Sequence, residues 1–210
     1  MEAVTVVTGR AVPLERADVD TDQIIPAAWL KRIQRTGFGA GLFSAWRADP
    51  DFVLNQPVYD GANILLAGPN FGSGSSREHA TWALQDYGFA AVIAPRFADI
   101  FRNNAGKIGL LIVELPAEVV DRLTAAVKAD PATEITVDLA ARNVTCAAAG
   151  VEVGFPVDDF TRYRLLNGLD DIGLTLRHGD AISAFEAGRP GWFPSVGSVP
   201  AGLAVEGRDR

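Results

Sequence analysis

Short apolar runs alternate with helical patterns between residues 63 and 129, and this alternation constrains the fold more than any other feature of the sequence. Each run is four to six residues long, which suits a buried strand and is too short for a helix. A strand–helix repeat requires right-handed crossovers, so the alternation predicts a parallel or mostly parallel sheet. We predict strands over residues 64–67, 90–94 and 110–115, and helices over residues 75–87, 97–105 and 116–130.

Further strand and helix patterns flank this region. Residues 4–14 are rich in β-branched side chains and are interrupted by Gly9, which predicts one bent strand or two short ones. Residues 135–156 predict an antiparallel β unit, and two or three short helices follow it. Residues 188–210 carry Gly and Pro throughout without periodicity, which is typical of a disordered tail. We therefore predict an α/β domain over residues 1–187 and a largely disordered tail beyond it.

Residues 18–60 form a long stretch without clean periodicity, rich in Asp, Gly and Pro. Such a stretch inside a compact domain is usually functional or flexible, although a surface loop with aromatic anchors is an equally good interpretation. We expect it to be mobile when a partner is absent, and we expect its aromatic side chains to be exposed. These aromatic residues are Trp29, Phe38, Phe43, Trp46 and Phe52.

The composition excludes several classes of protein and site. One cysteine, Cys146, and two histidines, His79 and His178, rule out an internal disulfide and a metal site built from several thiolates or imidazoles. The net charge of −7 argues against unspecific binding to nucleic acid or to an anionic membrane. No apolar run approaches the roughly 20 residues of a membrane span, and no signal peptide is visible at the N-terminus. We therefore expect a cytoplasmic location.

The densest group of reactive side chains lies at residues 72–79, Gly-Ser-Gly-Ser-Ser-Arg-Glu-His, between a predicted strand and a predicted helix. A helix N-terminus presents unpaired N–H groups and the positive end of the dipole, so it favours an anion. Ser75 or Ser76 is the expected N-cap, and Arg77 adds a guanidinium that can bind a carboxylate in two places. The alternative interpretation is a plain capped helix without a ligand.

Three known site types do not fit this loop. A dinucleotide fingerprint needs a third glycine where Arg77 stands, and a phosphate loop needs Gly-Lys-Ser/Thr at its end. A nucleophile elbow needs Gly-x-Ser-x-Gly, which is also missing. A serine hydrolase in which His79 activates Ser75 is conceivable, but two residues four apart on one helix are poorly placed for that proton transfer.

A second polar cluster occupies residues 18–23, Asp-Val-Asp-Thr-Asp-Gln. Three acids at alternate positions suit a divalent cation, but the glycine and distal glutamate of an EF-hand loop are missing. The alternative is an Asx-turn that caps the next short helix. The cations Lys31, Arg32 and Arg35 follow, and such residues more often form a solvated face than a site.

Two segments together resemble a known family. They are LLAGPNFGSGSSREHATWALQDYGFAAVIAPRFADIFRNNAGKIGLL at residues 65–111 and DVDTDQIIPAAWLKR at residues 18–32. Both resemble the small subunits of 3-isopropylmalate dehydratase, which are similar to the swivelling C-terminal domain of aconitase. The resemblance covers roughly residues 5–187, and Gly-Ser-Ser-Arg-Glu-His is a hallmark of the aconitase superfamily. It implies a three-layer β/β/α swivelling domain.

The resemblance also implies an activity. Members of this family work as a heterodimer in leucine biosynthesis, a hydro-lyase that isomerises 2-isopropylmalate to 3-isopropylmalate through isopropylmaleate. The large subunit holds a 4Fe–4S cluster with three cysteines, and its iron takes the leaving hydroxyl as a Lewis acid. The small subunit holds no metal and closes over a small dicarboxylate. A homoaconitate or methyl-substituted maleate hydratase is the nearest alternative, and a stand-alone anion-binding module or a serine hydrolase are alternatives of other classes.

By the same resemblance, Ser75 is the catalytic residue, whose alkoxide takes a C–H proton next to a carboxylate and later returns one. Ser76 and Arg77 match positions that bind a substrate carboxylate. The loop after Pro26 corresponds to the segment that distinguishes substrates within the superfamily. The other candidate substrate-binding residues are Asp22, an active-site acid; Trp29 and Leu30, which could contact the isopropyl group; and Lys31 and Arg32, either of which, like Arg35, could supply a further cation.

Overall fold

The computed structural model of the protein describes residues 1–31 and 36–192. The chain divides into two compact units, residues 1–171 and residues 172–210, and each is described by itself. The domain boundary that the sequence places at residue 187 stays a prediction. Three features considered above lie outside the described residues: Arg32, Arg35 and positions 193–210.

A seven-stranded sheet organises the first unit, in the order β4-β3-β2-β1-β5-β6-β7. Strands β1 to β4 are parallel to one another, whereas β5, β6 and β7 are antiparallel, so both predicted arrangements are confirmed. The strands are β1 (Val6–Leu14), β2 (Ile64–Ala67), β3 (Ala91–Ala94), β4 (Leu111–Glu114), β5 (Glu134–Asp138), β6 (Asn143–Cys146) and β7 (Val151–Gly154).

Strand β1 joins the two halves of the sheet. Its residues 6–10 pair with β5 and its residues 11–14 pair with β2. Gly9 lies next to the change of partner, where a Cβ would come within 2.0 Å of the Asn63 side chain. The Asn63 amide donates to the Thr8 carbonyl at 3.1 Å. The glycine predicted to bend this strand therefore makes room for a side chain that ties β1 to the start of β2.

Seven α-helices complete the described residues, and none of them is long and apolar enough to cross a bilayer. Short 3₁₀ turns lie at Ala27–Lys31, Phe38–Gly41, Val53–Asn55 and Pro57–Tyr59. The helices are α1 (Thr21–Ile24), α2 (Glu78–Tyr87), α3 (Asp99–Ile108), α4 (Ala117–Ala129), α5 (Asp159–Asn167), α6 (Asp171–Leu176) and α7 (Gly179–Ala187).

Two helix boundaries differ from the predictions by three residues. Helix α2 begins at Glu78 rather than Ser75, because Arg77 holds the N-cap position with extended dihedrals, φ −132° and ψ 108°. The predicted serine N-cap is therefore wrong. Helix α3 continues past Gly106 to Ile108 and ends at Gly109, whose φ of +92° is the left-handed conformation that a glycine adopts without strain.

Apolar side chains form a core on each face of the sheet. Helix α4 and the antiparallel strands enclose one core, and α2, α3 and the 18–60 segment enclose the other. The prediction that the aromatic residues of this segment are exposed is wrong for Phe38, Phe43 and Phe52, which are buried, while Trp46 is half-buried. Their burial against α2 and one another compensates for the missing regular structure, since a large aromatic side chain removes much apolar surface from water.

Asp158 caps helix α5 and makes the stability of the fold depend on pH. The backbone N–H of Thr161 donates to its carboxylate at 2.8 Å, and this hydrogen bond lowers the pKa of Asp158. A lowered folded-state pKa stabilises the fold above the unfolded value, about 3.9, and this stabilisation disappears as the pH falls through the folded value.

We expect Asp158→Ala to lower the free energy of unfolding by about 1 kcal/mol at neutral pH, because the first turn of α5 loses its cap. The loss should shrink as the pH falls below about 4, where the wild-type carboxylate becomes protonated. Urea unfolding followed by circular dichroism at several pH values measures the loss of unfolding free energy and its dependence on pH. Glu152→Ala, at an exposed position on β7, is the control. A loss for Asp158→Ala that is constant with pH would contradict the prediction.

Candidate active site

The loop between β2 and α2 lies at the carboxyl end of the parallel strands, the edge where open α/β sheets bind their ligands. Two glycines allow it to turn there. Gly72 and Gly74 have φ of +78° and +86°, a region that other residues rarely adopt. A Cβ at Gly72 would lie only 2.2 Å from Cγ of Phe101. The loop therefore packs tightly against α3 at Gly72.

The two polar clusters of the sequence lie side by side. The backbone N–H of Gly72 donates to the Val19 carbonyl at 2.8 Å, and that of Thr21 donates to the Ser73 carbonyl at 2.9 Å. A parallel bridge between Asp20 and Ser73 belongs to the same arrangement. Residues separated by more than fifty positions in the chain thus form one site.

Thr21 is a residue that sequence reasoning missed. Its side chain is buried, and its Oγ1 donates to the Ser75 carbonyl at 2.8 Å, which fixes the position of that residue in the loop. Asp20, one residue earlier, accepts from Gln23 N at 2.8 Å and caps α1. The Asx-turn interpretation of the second cluster is therefore confirmed. The sequence shows that Thr21 directly follows the N-cap residue Asp20. No neighbouring residue in the sequence indicates which group its hydroxyl binds.

Arg77 and Asp22 form an ion pair at the start of α2. The Arg77 side chain is 16% exposed and the Asp22 side chain 56%, so the guanidinium is held inside the site while the carboxylate faces solvent. Nη1 of Arg77 contacts Oδ1 of Asp22 without the angular geometry of a hydrogen bond. The pair orients the guanidinium, and its buried Nη1 is left without a hydrogen-bond partner among the described residues.

Ser75 and Ser76 are both exposed, and neither hydroxyl makes a hydrogen bond within the described part of the chain. The first turn of α2 has no side-chain cap, and of its N–H groups that of Ala80 donates to the Arg77 carbonyl at 3.2 Å, which leaves those of Glu78 and His79 for a ligand. A hydroxyl here lies beside a helix N-terminus and a buried arginine, two groups that stabilise negative charge. The arrangement suits both the binding of an anion and the formation of a serine alkoxide.

His79 does not activate Ser75 in this structure. Its ring lies 5.2 Å from that of Phe38 and 4.6 Å from that of Trp82, measured between ring centroids. Among the described residues no hydrogen bond joins His79 to Ser75. The imidazole packs in an aromatic cluster with Phe38 and Trp82, which argues against the serine hydrolase interpretation.

The remaining predicted site residues lie on the 3₁₀ turn after Pro26. Trp29 and Leu30 are half-buried and pack against the core; a Cβ at Gly41 would lie 2.5 Å from the Trp29 ring. Lys31 is exposed. The structure therefore brings together Asp22, Ser75, Ser76 and Arg77. It places Trp29, Leu30 and Lys31 on the neighbouring 3₁₀ turn, Ala27–Lys31.

The described residues do not fit an iron–sulfur cluster. Cys146 is buried in β6, and a cluster of this kind needs several thiolates. Within residues 1–31 and 36–192, no group of three or more His, Cys, Asp or Glu side chains is close enough to hold a metal ion.

A cavity of about 680 Å³ is lined by residues of α3, β4 and α5 and by none of the residues of the 72–77 loop.

Comparison with known families divides the chain into three parts. The family model for the aconitase C-terminal domain matches residues 1–118. A model named LeuD_N matches residues 121–159, and the model for the C-terminal domain of the 3-isopropylmalate dehydratase small subunit matches residues 171–194.

Curated relatives agree with these matches. The chain is 71% identical to the 3-isopropylmalate dehydratase small subunit of Parafrankia sp. (strain EAN1pec) over 196 residues, 93% of this chain and all of the relative. The chain belongs to the family of 3-isopropylmalate dehydratase small subunits. The proteins of the same name from Frankia casuarinae and Rubrobacter xylanophilus are 69% and 62% identical with the same coverage. The family predicted from the sequence is thus confirmed.

A solved structure supports the fold. The crystal structure of 3-isopropylmalate dehydratase (LeuD) from Methanocaldococcus jannaschii superposes with a TM-score of 0.63, over 86% of this chain and 99% of that one. At 24% identity this likeness is evidence for the fold alone. Together with the aconitase C-terminal domain match, it confirms the predicted fold class.

We expect Gly72→Ala to destabilise the protein more than Gly61→Ala. Both glycines have a positive φ, +78° and +75°, so both substitutions cost about 1–2 kcal/mol in backbone strain. Only the alanine at position 72 also collides with Phe101, because the nearest atom to a Cβ at Gly61 is 3.7 Å away. Overpacking adds about 1–3 kcal/mol, which urea unfolding of the two variants detects as a difference. Equal losses for the two variants would contradict the tight packing of the loop.

Proposed function

We propose that this chain provides half of an active site and that, together with a large subunit, it isomerises 2-isopropylmalate to 3-isopropylmalate. The observation that supports the proposal is the loop at the N-terminus of α2, where the exposed Ser75 lies two residues before the largely buried Arg77, which pairs with Asp22. Relatives that are up to 71% identical and are named 3-isopropylmalate dehydratase small subunit support the proposed substrate and reaction. The pathway is then leucine biosynthesis, and the expected location is the cytoplasm.

Ser75 is the proposed proton carrier. Its alkoxide takes a proton from the substrate carbon next to a carboxylate while hydroxide leaves the neighbouring carbon, and isopropylmaleate is formed. Hydroxide from a water molecule then adds to the carbon that lost the proton, the serine returns its proton to the other carbon, and the proton left from that water combines with the hydroxide released in the first step. A serine hydroxyl is a very weak acid, so its anion needs a positive environment. The unpaired N–H groups of α2 and the guanidinium of Arg77 supply one.

Arg77 is the proposed carboxylate ligand. Because its guanidinium is largely buried and already oriented by Asp22, little side-chain freedom is lost when the substrate binds. Ser76, exposed on the same loop, donates to the same carboxylate in this proposal. Trp29 and Leu30 contact the isopropyl group, and Lys31 or Arg32 provides a further cation.

The 4Fe–4S cluster is proposed to lie on the large subunit, since the described residues of this chain do not fit it. When bound there, the cluster supplies Lewis-acid chemistry for the departing hydroxyl. This chain then contributes the proton carrier and the carboxylate ligand, so neither subunit alone holds the complete active site. A hydratase acting on a related diacid would use the same loop, because one methylene in an apolar pocket changes binding by only about 1–3 kcal/mol.

We expect Ser75→Ala to lower kcat of the reconstituted pair by about 10²–10⁴, because the proton carrier is removed. Binding of the large subunit and the melting temperature should stay the same, since Ser75 is exposed. Ser44→Ala, on the 18–60 segment, is the control and should retain full activity. A fully active Ser75→Ala pair, or turnover by this chain alone, would refute the proposal.

We expect Arg77→Lys to raise KM for isopropylmalate by about tenfold or more, because lysine keeps the charge but loses the planar, two-pronged geometry. In the wild-type pair, a separate comparison of kcat/KM among isopropylmalate, homoaconitate and methyl-substituted maleate identifies the preferred diacid. Arg122→Lys, on α4, is the matched control. An unchanged KM in the Arg77→Lys pair would show that another residue binds the carboxylate.

A further inference from the structure

Thr21 is the first residue of helix α1, and hydrogen bonds hold its backbone on both sides. Its N–H donates to the Ser73 carbonyl at 2.9 Å, and its carbonyl accepts from the N–H of Ile25 at 3.0 Å. Asp20 and Gln23 close the first turn of α1 with a reciprocal pair of hydrogen bonds of 2.8 and 3.0 Å. Thr21 is β-branched and only 2% exposed, so its side chain has little freedom to rotate. The residue is therefore well suited to hold another group in place.

The Thr21 hydroxyl reaches further along the chain than its burial requires. A buried hydroxyl needs a hydrogen-bond partner, and a threonine often finds one in a carbonyl close by in the chain. The other two buried threonines of the described residues, Thr81 and Thr133, donate to carbonyls three and seven positions away, at 2.7 and 3.5 Å. Thr21 donates instead to the Ser75 carbonyl over 54 positions, at 2.8 Å. Burial alone therefore does not explain why this hydroxyl pairs with the loop.

This hydrogen bond holds a piece of backbone that has few other restraints. Residues 74–76 lie between the bridge at Ser73 and the start of α2, and they form neither strand nor helix. In the part of the chain that the structure describes, the Thr21 hydroxyl makes the only hydrogen bond to their backbone. Removal of the hydroxyl therefore leaves residues 74–76 without a backbone hydrogen bond.

The Ser75 carbonyl belongs to the peptide unit that links Ser75 to Ser76. A trans peptide unit is planar, so its N–H points away from its own carbonyl oxygen. With the carbonyl bound to Thr21, the Ser76 N–H is directed away from Thr21, and the rotation of the peptide plane is restrained. The hydrogen bond therefore orients the backbone that carries the Ser75 hydroxyl.

Helix α1 thus contacts two members of the proposed site through neighbouring residues. Asp22 pairs with Arg77, the proposed carboxylate ligand, and Thr21 binds the backbone of Ser75, the proposed proton carrier. Proton transfer depends on the position of the reacting atoms, and a displacement of about 1 Å can lower a rate by about 100-fold. Loss of the Thr21 hydroxyl should therefore affect the chemical step more than the binding of substrate.

We propose that Thr21 is a positioning residue for the dehydratase reaction, which acts through the Ser75 carbonyl. The inference rests on the proposed function, since it takes Ser75 to be the proton carrier. Thr21 itself is buried beneath the loop and exchanges no proton with the substrate. Its role is to hold the Ser75 backbone in the orientation that proton transfer needs.

The test compares Thr21→Val, which keeps the volume but loses the hydroxyl, with Thr21→Ser, which keeps the hydroxyl but loses a methyl group. At saturating large subunit, we expect Thr21→Val to lower kcat by about 10- to 100-fold and to change KM by less than about threefold. Thr21→Ser should keep kcat within about threefold of the wild type. Each substitution should lower the melting temperature by about 2–4 °C, so stability alone would not explain a difference in kcat.

Two controls show where the threonine acts. Thr133→Val, between α4 and β5, also removes a buried hydroxyl and its hydrogen bond, and it should leave kcat unchanged. Thr21→Val in a Ser75→Ala chain completes a double-mutant cycle. Because Thr21 acts through Ser75, the second substitution should lower the residual activity by less than about threefold.

Three results would overturn the inference. They are an unchanged kcat for Thr21→Val, an equal loss of kcat for Thr21→Val and Thr21→Ser, and a full further loss when Thr21→Val is added to Ser75→Ala. If Thr21→Val does not fold, Thr21→Ala takes its place, since it differs from Thr21→Ser by the hydroxyl alone. Failure of the proposed function is distinguishable from all three, because the Ser75→Ala pair would then keep full activity.

Discussion

The backbone pairing of residues 18–22 with residues 72–75 is the contact on which the rest of the site depends. Gly72 donates to Val19, Thr21 donates to Ser73, and the Thr21 hydroxyl donates to Ser75. These hydrogen bonds bring an acid cluster and a serine cluster from different parts of the chain to one edge of the sheet. Because the 72–77 loop makes no side-chain cap for α2, the backbone N–H groups of Glu78 and His79 in the first turn of that helix remain for a ligand. The backbone hydrogen bonds to residues 18–22, and not a side-chain cap on α2, hold the loop in place.

Much of the fold follows from local patterns. The strands of the parallel half, the antiparallel unit and most helices appear as predicted, since apolar periodicity and short-range turn signals determine them. The start of α2 does not, because a serine that precedes a helix normally caps it. Here the Ser75 carbonyl is bound by Thr21 and Arg77 stays extended, so the helix starts three residues later. A contact over 54 positions overrides a local preference, and no local pattern can reveal it.

The same limit explains the 18–60 segment. Its lack of periodicity indicates a loop correctly, but the burial of Phe38 depends on packing against α2, where Asp86 accepts from the Phe38 backbone N–H at 2.9 Å. The buried ring of Phe43 stacks on that of Trp46. For the candidate site, the sequence predicted Ser75, Ser76, Arg77 and Asp22 from their residue types and the family resemblance, and the roles of these residues stay predictions. It missed Thr21, whose contribution is one hydrogen bond to a backbone carbonyl and carries no signature in a single sequence.

The electrostatics of the site must be local. The chain carries a net charge of −7, which by itself repels a dicarboxylate. At physiological ionic strength, charges further apart than about 8 Å are largely screened, so the acidic surface acts weakly on a substrate in the loop. The N–H groups of α2 and the guanidinium of Arg77 lie within the site itself and are not screened in this way. Because His79 packs in an aromatic cluster, no imidazole shares the proton of Ser75. In the proposed mechanism, stabilisation of the Ser75 alkoxide therefore depends on these fixed positive groups. The Asp22 carboxylate that orients Arg77 is 56% exposed, so solvent screens its charge more than that of the guanidinium.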